Sequence, residues 1–109
     1  MKIATDEIFG PVMSVFKFKD TQEVIKRANN TRYGLAAGVV TKSIDNAITV
    51  SNALRAGSMW VNCYYMSTQS TPFGGFKDSG IGREKGLSGI EIYQETKSVI
   101  IKRPEEALP

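Results

Sequence analysis

Cysteine, histidine and carboxylate content limits the chemistry open to this chain. Cys63 is its only thiol, and the sequence contains no histidine. A catalytic cysteine needs a lowered pKa or a nearby base, so no Cys-His pair and no Ser-His-Asp constellation can form within it. Read without a partner, Cys63 is a small buried or loop cysteine. Carboxylates for acid–base work would have to come from Glu7, Asp78, Glu84 or Glu91, and no spacing singles out a pair. One Cys and no His also exclude structural zinc. Gly75-x4-Gly80 has the spacing of a phosphate loop, but Ile81-Gly82 follows where Lys and Ser/Thr are needed. Gly80-x-Gly82 fails as a dinucleotide fingerprint, because Gly86 comes one residue late and no strand leads directly into the segment. No catalytic residue and no metal ligand is assigned.

The residues with most to offer lie between Gly57 and Glu84. This stretch holds the only Trp, the only Cys and Tyr64, Tyr65, Phe73 and Phe76. It reads as an apolar strand running into a loop, which the turn Pro72-Phe-Gly-Gly-Phe76 then pins. Aromatic side chains beside Gly-Gly point to backbone packed close against a flat or large neighbour. Such a turn either anchors Phe73 and Phe76 in a core or carries a binding surface on a rigid scaffold.

The elements that must position this stretch come before it. Gly10-Pro11 signals a turn, with Glu7 and Phe9 on irregular chain ahead of a strand. Val12 to Phe18 is apolar on both faces at its start and predicts a buried strand. Asp20-Thr-Gln-Glu23 is a capping-box start, and Val24, Ile25 and Ala28 form a helical stripe ending near Asn29-Asn30. Leu35 to Thr41 predicts a second strand. Ser43 caps a second helix with Ile44, Ala47, Ile48 and Leu54 on one face and Gly57 beyond its last turn. Ser58 to Val61 predicts a third strand. The fold class is α/β, with a β-α-β-α-β order that argues for a parallel sheet. A short helix over Arg83 to Tyr93, weakened by Gly86 and Gly89, precedes a last β-branched strand, Thr96 to Lys102. Residues 104–109 read as a tail.

At 109 residues there is room for one small domain, and 41% hydrophobic with 23% charged residues places it among globular chains. The net charge of +3 comes from scattered residues with no basic run, so neither nucleic acid nor a membrane surface is expected as a partner. No apolar run approaches the ~20 residues of a membrane span. One cysteine fits a reducing compartment. The first residues lack the apolar core of a signal peptide.

Five motifs occur in order: Glu7-Ile-Phe9-Gly-Pro-Val12; Arg27-Ala-Asn29 with Tyr33-Gly-Leu-Ala36; Trp60-Val-Asn62; Pro72-Phe-Gly-Gly-Phe-Lys77-x-Ser79-Gly-x-Gly-Arg83-Glu84; and Thr96-Lys-Ser-Val99. Together they resemble the C-terminal part of the NAD(P)-dependent aldehyde dehydrogenase superfamily, nearest the cytosolic retinal-type and mitochondrial acetaldehyde-type members. The resemblance covers residues 1 to 103. It implies that residues 1–94 are the C-terminal part of the catalytic domain, with its parallel β-α-β-α-β order, and that residues 95–103 are an oligomerisation strand. Family members oxidise an aldehyde to a carboxylic acid. A cysteine thiolate attacks the carbonyl, hydride passes to NAD (or NADP), and a glutamate base helps water cleave the thioester. That cysteine, that glutamate and the Rossmann-like cofactor domain precede the matched segment, so the resemblance makes Cys63 no nucleophile and predicts an inactive chain on its own. It places Glu7 on the ribose beside the nicotinamide and Phe9 against that end of the cofactor. It assigns Tyr64 to Phe73 to a wall of the substrate tunnel, with Tyr65, Ser67 and Phe73 facing the aldehyde. It implies a homo-oligomer formed through residues 96–102 and a cytoplasmic protein, with mitochondria as the alternative. The run Tyr65-Met-Ser-Thr-Gln-Ser-Thr71 departs from close family members in that wall. Two other classes compete: an inactive interaction module that pairs with full-length subunits, and a stand-alone nucleotide- or anion-binding domain, which the missing phosphate-loop Lys disfavours.

Overall fold

A computed structural model describes residues 1–102. Its regular elements are α1 (Thr21–Asn29), β1 (Ala36–Val39), α2 (Ile44–Ala53), β2 (Ser58–Val61) and α3 (Ser88–Glu91), with single 3-10 turns at Lys2–Ala4 and Lys77–Ser79.

Side-chain caps fix both long helices. The Asp20 carboxylate accepts from the Glu23 amide at 2.8 Å and starts α1. Glu23 reaches back one residue further than the capping box requires and accepts from the Lys19 amide at 2.8 Å. It also pairs with Arg27 one turn on, at 3.1 Å. Lys26 and Arg27 in the last turn suit the negative end of the helix dipole. Ser43 caps α2, its hydroxyl accepting from the Asn46 amide at 3.3 Å.

β1 and β2 pair in parallel, Ala36 opposite Ser58 and Val39 opposite Val61. Asn62 prolongs the ladder with its side chain: its amide donates to the Thr41 carbonyl and accepts from the Thr41 amide, each at 2.8 Å. α2 packs on both strands and on α1. Ala47 and Val50 of α2 are the buried apolar residues at the centre.

Four sequence expectations need correction. The sheet has two strands among the described residues, giving α-β-α-β rather than β-α-β-α-β. Val12 to Phe18 forms no strand, and Met13 is 84% exposed. Its strand-forming composition has no paired edge here, and a strand exists only against a partner. The Gly10-Pro11 turn does form, with the Val12 amide on the Gly10 carbonyl at 2.7 Å. Thr96 to Lys102 likewise forms no strand, and Ile100 is 94% exposed. The Arg83–Tyr93 helix shrinks to Ser88–Glu91, because Lys85 and Gly86 both sit at positive φ, +64° and +56°, and break its start. The 104–109 tail and Arg103 lie outside the described residues.

Gly57 serves a different purpose from the one its position suggested. α2 ends at Ala53, capped by Leu54. The Cα of Gly57 lies against the Gly74 carbonyl, where no Cβ would fit. Its amide donates to the Gly34 carbonyl at 3.0 Å. This close approach brings the Gly/aromatic turn onto the start of β2.

Candidate substrate wall and cofactor edge

β2 delivers Trp60 to its C-terminal end, and the chain then reverses. Asn62 and Tyr65 take left-handed backbone conformations, φ +54° and +62°. The reversal folds Tyr64 and Tyr65 back onto the indole. Trp60 meets Tyr64 edge-on at 5.3 Å between centroids and stacks with Tyr65 at 6.2 Å. The indole N–H donates to the Met66 carbonyl at 2.8 Å and holds the turn down. Thr68 and Thr71 close the next turn: the Thr71 amide donates to the Thr68 carbonyl at 3.2 Å, and the two hydroxyls lie 2.8 Å apart. The chain then returns through Phe73, which exchanges two backbone hydrogen bonds with Glu84 at 2.8 and 2.7 Å.

These loops line an open cavity of about 560 Å³, with Trp60, Tyr65, Met66, Ser67, Phe73 and Lys85 among its walls. Its size and aromatic lining suit a small organic molecule. The Lys85 ammonium lies 5.6 Å from the Phe73 ring centroid. Tyr65, Ser67 and Phe73, separated by up to eight residues in the chain, therefore meet on one surface. Trp60, quoted in a motif, Met66, inside the assigned wall, and Lys85 were not named as facing the cavity. The aromatic spacing Trp60…Tyr64-Tyr65 carried a usable signal for Trp60; Lys85 had none. Cys63 is exposed and does not line the cavity.

A second recess of about 260 Å³ lies on the other side of the β1 start, lined by Glu7, Asn29, Tyr33, Gly34 and Ser79, among others. Leu35 and Ala36 line both hollows and divide them. Among the described residues the Glu7 carboxylate has no ion-pair or hydrogen-bond partner, so its oxygens are free to accept from a ligand's hydroxyls. Phe9 does not join Glu7 in the recess. It stands 90% exposed at φ +54° and offers a bare ring face.

The Gly/aromatic turn is held by cations. The Phe76 ring has the Arg55 and Arg83 guanidinium carbons at 5.5 and 5.2 Å from its centroid. Arg83 also donates to the Gly75 and Gly82 carbonyls at 3.0 and 2.7 Å. Arg32 pairs with Asp78 at 2.7 Å, and that hydrogen bond and attraction hold its pKa above the ordinary guanidinium value. Both partners are well exposed, so the pair is a registration contact rather than a large source of stability. Among the described residues, no three His, Cys, Asp or Glu side chains gather as a metal would require. No helix there is long and apolar enough to cross a membrane.

Comparison with known proteins gives this arrangement a context. The family model described as "Aldehyde dehydrogenase family" matches residues 1–99. Aldehyde dehydrogenase 1A1 of Mesocricetus auratus is 64% identical over 102 residues, which make up 94% of this chain and 20% of that protein. Aldehyde dehydrogenase, cytosolic 2 of Macroscelides proboscideus is 61% identical over 94% of this chain and 42% of its own length. Among solved structures, an aldehyde dehydrogenase from Bacillus cereus in complex with NAD+ superposes with a TM-score of 0.87 at 52% identity, covering 91% of this chain and 20% of that one. A P. syringae indole-3-acetaldehyde dehydrogenase in complex with NAD+ and IAA gives 0.88 at 51% identity, covering 94% and 21%. The chain thus spans about a fifth of the length of most of the relatives it matches. With a family match that begins at Met1, ends at residue 99 and takes in both hollows, the chain belongs to the aldehyde dehydrogenase family.

Proposed function

We propose that this chain supplies the C-terminal part of an enzyme that oxidises aldehydes to carboxylic acids with NAD, NADP being the alternative. The observation that carries the reading is the convergence of Tyr65, Ser67 and Phe73 on one aromatic cavity. In this reading the cavity is one wall of the aldehyde tunnel. Tyr65 and Phe73 hold the apolar body of the aldehyde and exclude water, and the Ser67 hydroxyl offers a polar contact near them. Glu7 accepts hydrogen bonds from the ribose hydroxyls beside the nicotinamide, and Phe9 packs against that end of the cofactor. The bound nicotinamide supplies the hydride acceptor. Neither the nucleophilic thiolate nor its base comes from residues 1–109, so this chain alone is inactive. Residues 96–102 form the oligomerisation strand when a neighbouring subunit offers an edge. The relatives named as cytosolic favour the cytoplasm.

The tunnel assignment is tested by substrate ranking. In an intact enzyme carrying this segment, Phe73→Ala should weaken turnover of long aldehydes more than short ones, by about 0.8 kcal/mol for each methylene that loses its contact. The check is kcat/KM across a chain-length series. A uniform slowdown would mean that Phe73 only packs the loop.

A second reading is favoured by the amount of surface left open: an inactive interaction module that pairs with full-length subunits. The accessible surface is 9906 Å², against about 6000 Å² for a compact monomer of this mass.

A further inference from the structure

We propose that Lys77 is a positioning residue, a latch that sets the wall shared by the aldehyde cavity and the cofactor recess. The inference rests on the functional reading above and adds a residue to it. Lys77 lines neither hollow. It holds a left-handed backbone conformation, φ +54°, that a lysine rarely takes. From there its ammonium donates to the Asn29 carbonyl at 2.9 Å and the Thr31 carbonyl at 3.0 Å. Asn29 is the last residue of α1, so the cation sits at the negative end of that helix's dipole. A strained conformation held by specific contacts points to a role for those contacts.

The contacts around it join two loops into one body. The Phe76 amide donates to the Gly34 carbonyl at 2.8 Å, and the Asp78 amide to the Arg32 carbonyl at 3.0 Å. The Gly34 amide donates to the Ser79 hydroxyl at 2.9 Å, and Arg32 pairs with Asp78. Asn29 extends the clamp to α2, its side-chain amide donating to the Ala53 carbonyl and accepting from the Arg55 amide, each at 2.8 Å. Gly34 leads directly into Leu35 and Ala36, the residues that divide the hollows. Phe76 lies three residues beyond Phe73 of the aldehyde cavity. Lys77 is the one charged donor in this set that reaches backbone on the far loop at two points. Releasing it leaves the other bonds in place but loosens the Thr31–Gly34 loop on the cofactor side and the Phe73–Phe76 turn on the aldehyde side together.

The test uses an intact aldehyde dehydrogenase carrying this segment, with Lys77→Met, Lys77→Gly and Lys77→Arg. Lys77→Gly removes the ammonium while fitting the left-handed backbone, so it keeps the experiment readable if Lys77→Met folds poorly. Both are expected to raise KM for NAD and KM for the aldehyde together, about tenfold, as loss of charge-assisted hydrogen bonds permits. Lys77→Arg should restore both. Amide hydrogen exchange at Gly34 and Phe76 should quicken in Lys77→Gly and not in Lys77→Arg. A folded Lys77→Gly enzyme with both KM values and both exchange rates at the parent level would overturn the latch. A rise in only one KM would overturn the shared wall. If the parent enzyme shows no NAD-linked aldehyde oxidation, the functional reading fails, and the exchange rates alone still decide the latch.

Discussion

Nothing in the described chain occupies the two carboxylate oxygens of Glu7. A carboxylate accepting from a ribose hydroxyl forms a charge-assisted bond, stronger than a neutral one. Glu7→Gln keeps the shape and removes the charge. In an intact enzyme it should weaken NAD binding by about tenfold or somewhat more. Part of the loss should appear in the hydride-transfer rate, since a loosely held nicotinamide is misplaced for transfer. Kinetics unchanged at both saturating and limiting NAD would remove Glu7 from the site. Glu7, Phe9, Tyr65, Ser67 and Phe73 were named through the resemblance to the family; the structure gathers the last three on one cavity and sets Glu7, without Phe9, at another. Lys77 was quoted only as a letter of a motif. Its role depends on α1 ending 48 residues earlier in the chain, beside it in space, which no local pattern records.

Among the elements, the two long helices were legible because their determinants are local, whereas the expected Arg83–Tyr93 helix kept only Ser88–Glu91. Asp20, Glu23 and Ser43 act within four residues of themselves, and the Asp20 and Ser43 caps form where the sequence places them. The strands were legible only where the chain supplies the partner. Ala36–Val39 and Ser58–Val61 have each other, whereas Val12 to Phe18 and Thr96 to Lys102 have comparable β-propensity and no edge to join. Asn62 was quoted as part of Trp-Val-Asn, yet its structural work is visible only in three dimensions, where it substitutes for one more backbone pair of the ladder. Asn62→Gly keeps the left-handed conformation and loses both bonds to Thr41, and should cost about 1–3 kcal/mol. Asn62→Ala loses the bonds and also strains the backbone, for roughly 1 kcal/mol more. Thermal unfolding of the intact protein checks the order. Equal stability of all three would mean that the amide does not extend the sheet. Gly57→Ala should exceed the cost of Asn62→Gly, because its new methyl group has no space beside the Gly74 carbonyl.

The whole molecule is long and open, with extents of 76 × 33 × 26 Å and a radius of gyration of 21.5 Å where a compact chain of this length has about 13 Å. Met13, Val15 and Phe16 near one end, and Val99, Ile100 and Ile101 near the other, are largely exposed. Both stretches have strand-forming sequences and unpaired backbone, the combination that recruits a further chain. On its own the chain should therefore associate at micromolar concentration. In Thr96 to Lys102, alternation would put Ile100 on one face with Ser98 and Lys102, and Val99 with Ile101 on the other. If the Ile100 face carries the contact, Ile100→Lys should raise solubility and shift sedimentation toward the monomer, while the matched Val99→Lys change does less. Equal effects of the two would mean that both faces are covered in the assembly. Sedimentation of the unmodified chain as a compact, stable monomer would count against an oligomerisation role for residues 96–102 and against the interaction-module reading together, because either one needs this surface to be adhesive.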